Sequence, residues 1–265
     1  MAGVIESIKK IYSGENAKKT HLILFAICFV YMLCSTLFDI AIGKPDNMRQ
    51  NPFDFVFGLF IGMYSIQYLH NSLHNIRSGE LPFINEINKR IFLPMIGMNI
   101  VWGFYLVLAI IIGLILYITT KSIILTSIYI IALSAIAFLA QFLTIALSEN
   151  FELKGLLNIM LIFRFTKTAF FKFWGKALKV TGLVLVIVAA YILLYVIGEF
   201  TGISHILALG KDYYLFDIIT LPVFMYCFVI LLYFVLPYSL IDTYNEKIRP
   251  ILGYEDIEIL EGDNN

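Results

Sequence analysis

Six stretches of this chain, at about 21–43, 53–71, 92–118, 122–147, 177–198 and 217–240, run for about 20 residues or more with almost no charge. A helix needs roughly 20 mainly apolar residues to cross the hydrocarbon of a bilayer. Backbone polar groups at that depth must be paired within the segment, which makes each stretch a helix. The expected fold is therefore all-α: a polytopic membrane protein with six transmembrane helices. A water-soluble alternative would have to bury six helices that lack a polar face. With 60% hydrophobic and 14% charged residues, the chain has too little polar sequence to cover such a core, since soluble domains run nearer half apolar and a quarter charged. The first stretch is longer than a signal-peptide core and lacks an A-x-A-like site, so it reads as a retained helix.

The cations set the threading. With six spans, one side receives the N-terminus, the second-to-third linker, the fourth-to-fifth linker and the tail. These hold fifteen of the nineteen Lys and Arg residues. The other side receives Lys44, Arg49, Lys121 and Lys211. Positive residues stay cytoplasmic during insertion, so both termini are expected inside the cell. Five or seven spans would destroy the asymmetry. The domain reading follows: a cytoplasmic interfacial helix over 1–20, a membrane domain over 21–240 and an acidic, loosely ordered cytoplasmic tail over 241–265.

Two cytoplasmic linkers are amphipathic. In ENFELKGLLNIMLIFRFTKTAFFKFWGK (149–176), apolar residues interleave with Arg164, Lys167 and Lys172. Such a segment suits the headgroup plane, with cations toward anionic lipid, or docking on a protein partner. Arg77, Arg164, Lys167 and Lys172 are the headgroup-contact candidates. At the N-terminus, Ile5, Ile8 and Tyr12 fall on one helical side with Lys9 and Lys10 off it, and Gly14 ends the helix.

Polar stripes mark the inner ends of two spans. Gln67, Asn71, His74 and Ser78 recur at helical spacing, with His70 and Arg77 beside them, and Ser78-Gly79 is the expected cap before Glu80-Leu81-Pro82. Histidines four apart can share a metal. Here Asn-Ser-Leu separates His70 from His74, without the glutamate of a zinc-hydrolase motif, and three or four ligands are the rule. The preferred reading is a polar helix end, with no metal and no cofactor. Gln141, Thr144, Ser148 and Glu152 repeat the stripe on the fourth span. The two span–linker–span units, 53–118 and 122–198, suggest an internal duplication. Gln67, Asn71, His74, Gln141, Thr144 and Ser148 are thus candidates for a shared cytoplasm-facing cavity; the alternative is that the amides join helices.

Other features are structural. Gly58 and Gly62 form a GxxxG that admits close backbone approach, and Pro237 should bend the last span. Asp39, Asp54, Glu199 and Asp217 fall at outer helix ends as a mildly acidic rim. Cys28, Cys34 and Cys227 lie within spans and form no CxxC pair, so packing is their expected role. The chain has no GK[ST] phosphate loop, no G-x-S-x-G elbow and no aspartate-rich cytoplasmic cluster for Mg²⁺, which lowers the enzyme reading. Membrane lipid is the expected neighbour, with a cytoplasmic or membrane protein as a candidate partner and nucleic acid not expected.

Tyr68, Asn75, Arg77, Gly79-Glu80-Leu81-Pro82 and the long apolar span from Phe92 to Tyr117 resemble a family of six-helix bacterial and archaeal integral membrane proteins catalogued as a domain of unknown function. The segment ENFELKGLLNIMLIFRF is similar to that family's second cytoplasmic linker. Asn88-Lys89-Arg90 stands where the family's pattern has a glycine. The resemblance implies a fold and a location and carries no activity. The threading also resembles, in topology alone, the membrane subunits of some ABC exporters. Three functions are compatible with these features. The first is a non-enzymatic subunit in transport or envelope maintenance. The second is a lipid-active enzyme at the inner headgroup plane using His70, His74 and Glu80. The third is an immunity or structural protein.

Overall fold

The computed structural model describes residues 3–14, 16–42, 51–76, 79–152, 159–203 and 215–252, and among these no strand occurs. The helices are α1 (Val4–Ile11), α2 (Ala17–Ile42), α3 (Pro52–Leu73), α4 (Phe92–Thr120), α5 (Ile123–Asn150), α6 (Ile159–Thr201) and α7 (Leu215–Val229). The last runs on through a π-helical segment, Ile230–Val235, into α8 (Leu236–Thr243), a second π-helical segment, Tyr244–Ile248, and α9 (Arg249–Leu252). Among the described residues, three stretches are long and apolar enough to cross a membrane: Ala17–Phe38, Lys167–Thr201 and Ile219–Leu252. Helices α3, α4 and α5 have 22, 29 and 28 residues. The chain has the build of a membrane protein.

Local chemistry sets the helix ends. Asn51 caps α3 by accepting the Phe53 N–H at 3.0 Å, with Pro52 as the first helical residue, and its amide also donates to Ser35 Oγ at 2.8 Å. Ser122 caps α5 by accepting from Leu125 N. At the far end of α3 the helix stops at Leu73, earlier than the expected Ser78-Gly79 cap. His74 is the C-cap, Asn75 takes a left-handed φ of 56°, and the Ile76 N–H returns to the Asn71 carbonyl at 2.7 Å. Asparagine tolerates that conformation better than most side chains. Gly79 serves a different turn: its φ is 86°, and a Cβ there would meet Lys10 Cβ and the Tyr238 hydroxyl at 2.9 Å.

The core gathers at one end of the bundle, here termed basal, where α1, the 79–91 linker, the C-terminal ends of α3 and α5, and α8 meet. Tyr64, Tyr68, Phe142, Phe173, Phe234 and Tyr244 are fully buried there. Phe234 sets its ring edge-on to Tyr64 and Tyr68, each at 5.4 Å. Away from this end the helices leave large apolar side chains exposed, among them Ile110, Ile118, Ile124, Leu185, Leu193 and Phe200. Hydrocarbon exerts no hydrophobic drive to bury such groups, so packing concentrates where polar groups need partners.

Three expectations are corrected here. Segment 149–176 is expected as a separate interfacial segment, but from Ile159 it is one helix with the fifth apolar stretch, 43 residues in all, about 65 Å at 1.5 Å per residue, while 153–158 lie outside the described residues. Its inward face carries Ala169, Phe173, Ala177 and Val180, all buried. Lys172 binds Glu246 at 2.7 Å and Lys176 donates to the Ser239 carbonyl. The linker therefore docks on the chain's own last helix. For the same reason the chain after Leu240 is helical to Leu252, held by buried Ile241, Tyr244 and Ile248. The tail from 253 lies outside the described residues. Finally, α1 packs a second face inward, Val4, Ser7 and Ile11, while Ile5 and Tyr12 stay exposed. The Lys10 ammonium donates to Tyr238 Oη at 3.2 Å, a bond that holds its pKa above the usual lysine value.

Candidate functional site

Two polar features stand out: a knot at the basal end that ties the helix ends together, and a cavity on the flank.

The knot begins with the histidines. An α-helix leaves its last four carbonyls without intrahelical donors. At the end of α5, the Leu147 carbonyl accepts from Phe151 N at 2.9 Å, with Phe151 in a left-handed conformation. The next two carbonyls go to α3: His70 Nδ1 meets the Ser148 oxygen at 2.7 Å and His74 Nε2 the Glu149 oxygen at 2.9 Å. The two rings lie 4.4 Å apart, and Phe151 covers His70 at 4.5 Å. The histidines are an external cap on a neighbouring helix. Glu80 is elsewhere, with its carboxylate against Gly14.

Glu149 anchors the second part. Its side chain is buried, with Oε1 accepting from Arg249 Nε at 2.7 Å and Oε2 from the Tyr244 hydroxyl. Sequence patterning misses this trio. A glutamate closing a long uncharged helix is visible in it, but the partners lie 95 and 100 residues away. Gln67 supplies the third part: its amide donates to Asn71 Oδ1 at 2.8 Å and its carbonyl accepts the Asn88 N–H at 2.9 Å. Ser148 Oγ turns back onto the Ile145 carbonyl at 2.6 Å.

The cavity, about 620 Å³, lies between α3, α4 and α5, with Tyr233 of the first π-helical segment closing one side. Its rim residues Phe55, Ile100 and Tyr233 are 68%, 66% and 42% exposed, so it opens on the flank of the bundle. Gly58 lines it, and a Cβ added there would meet nothing within 4 Å, whereas a Cβ at Gly62 would strike Met95 Sδ at 2.8 Å. The GxxxG thus performs two tasks, one glycine admitting α4 and the other opening space. Polar lining comes from Asp54, Ser65, Asn99, Gln141 and Thr144. Asp54 accepts from the Tyr31 hydroxyl at 2.7 Å and Ser65 donates to the Tyr233 carbonyl at 2.6 Å. The side-chain amides of Asn99 and Gln141 make no hydrogen bond to another described residue.

The expected cavity shared by Gln67 and Gln141 is not what the structure holds. Gln141 and Thr144 are on the cavity wall; Gln67, Asn71, His74 and Ser148 belong to the knot. The physical reason is the 79–91 linker, which folds back beneath α3 and takes the Gln67 carbonyl. Asn99 is absent from the sequence-based candidates, though an amide seven residues into an apolar helix is the same signal that marks Gln141. Among the headgroup candidates, Arg164 and Lys167 are exposed, Lys172 is paired with Glu246, and Arg77 lies outside the described residues, as does Ser78.

The chain matches no family model, no curated protein and no solved structure.

Proposed function

We propose that this chain is a six-span protein of the cell membrane, with both termini cytoplasmic, acting as a non-enzymatic subunit in transport or envelope maintenance by holding an amphipathic molecule in its flank cavity. The observation that carries the reading is the cavity itself. At about 620 Å³ it has the size of a ligand pocket, it opens sideways, and two amides on its wall are bonded to no other described residue. A polar group at that depth is costly unless partnered, and a bound molecule would supply the partner. The basal end supports the threading, because Lys10, Lys172, Lys176 and Arg249 all find partners there. The histidines of the competing enzyme reading cap α5 in this arrangement, and Glu80 lies apart from them against Gly14.

The test is Gly58→Leu, which enters open space and should fold. Lipid extracts of the purified wild-type chain and of the variant are compared by mass spectrometry. A molecule retained by the wild type and depleted at least about tenfold in the variant, a difference of 1.4 kcal/mol, is the expected result. Identical extracts would refute the reading.

A further inference from the structure

The cavity's chemistry narrows what it can hold. We infer that its occupant is an uncharged, oxygen-bearing lipid of the acylglycerol kind, its ester or hydroxyl oxygens met by Asn99 and Gln141 and its chain lying along Gly58, Leu59 and Ile66; this rests on the cavity being a binding site.

Charge is the first ground. Among the described residues no lysine, arginine or histidine lines the cavity, and its one carboxylate, Asp54, is two residues into α3 at the end away from the basal core. An anionic headgroup would sit unpaired in hydrocarbon, at a large desolvation cost. A cation would find only Asp54, which already accepts the Tyr31 hydroxyl. An uncharged group meets neither penalty.

Depth is the second ground. Asn99 is seven residues into α4 and Gln141 nine residues from the end of α5, counted from the same basal end. At 1.5 Å per residue these are about 10 and 14 Å along their helices, so the two amides lie at a similar level. Each carries two donors and an acceptor, which suits carbonyl and hydroxyl oxygens together. Helix α4 and helix α5 each contribute one amide, so the pair is fixed by backbone and not by a loop. Apart from Asp54, Ser65, Thr144 and Tyr233, the remaining wall, including Met95 and Met98, is apolar and adaptable.

The experiment uses the full chain in nanodiscs and measures retention of radiolabelled 1-oleoylglycerol, with oleate and 1-octadecene of the same length as competitors. The expected result is that 1-oleoylglycerol binds at least about tenfold more tightly than either competitor. Asn99→Leu and Gln141→Leu should each weaken it about three- to tenfold, the range of one hydrogen bond in a membrane, and leave 1-octadecene unchanged. Asn99 is exposed, so its replacement tests the idea even if Gln141→Leu does not fold. Gly58→Leu should abolish binding of all three. If it does so but the three bind alike, or the amide variants lose nothing, the lipid class is refuted and the cavity stands. If Gly58→Leu changes nothing, the cavity reading itself falls.

Discussion

Glu149 shows how a single residue organises this protein. A buried carboxylate is tolerated only with partners that offset its lost hydration. Arg249 and Tyr244 provide them, and the same residue's main-chain oxygen accepts from His74. Four elements, α3, α5, the second π-helical segment and α9, therefore converge on one position. Arg249→Leu leaves the charge without its counter-ion and should lower unfolding free energy by about 3 kcal/mol, the low end for breaking a buried pair because Arg249 keeps 24% of its side chain exposed. Adding Glu149→Gln removes the charge and should recover all but about 1 kcal/mol. Denaturation in mixed micelles measures both; a double variant no better than the single would refute the account of Glu149.

At the scale of elements, the last helix is shaped by its prolines. Pro237 has no N–H to offer the Tyr233 carbonyl four residues earlier. The helix widens over Ile230–Val235, and the Ser65 hydroxyl donates to Tyr233 instead. Ser65→Ala should then cost about 1 kcal/mol, as interhelical hydrogen bonds in membranes do. In a Pro237→Ala background, where the main chain can satisfy that carbonyl, the cost should fall toward zero. A thermal-unfolding cycle over the four proteins reads the difference, and additive effects would contradict it. Pro237 shows what the sequence discloses: a disturbance near this point is legible from the proline alone, whereas the widening and its partner on α3 are not. The same division holds for the helices. Apolar length places α2 to α5 within a few residues, because pairing the backbone in hydrocarbon is a local demand. The face of α1 that packs, the docking of α6 on the tail and the Gln67–Asn88 bond depend on which distant segment arrives, and a single sequence carries no record of that. Patterning gives Gln67 and Gln141 one role in a shared cytoplasm-facing cavity because their local surroundings look alike, whereas Gln141 lines the flank cavity and Gln67 belongs to the knot.

The whole molecule is a bundle tied at one end and loosely packed along the rest, which is how helices behave when hydrocarbon is their solvent. The proposed threading puts the tied end in the cytoplasm and the α4–α5 turn outside. Single cysteines in a background with Cys28, Cys34 and Cys227 replaced by alanine test it directly. Thr120→Cys lies at the exposed α4–α5 turn and Glu6→Cys on the exposed face of α1. With a membrane-impermeant maleimide on intact cells, position 120 should be labelled at once, and position 6 only after the membrane is permeabilised. Labelling of position 6 in intact cells, or of position 120 only in lysed ones, would contradict the orientation.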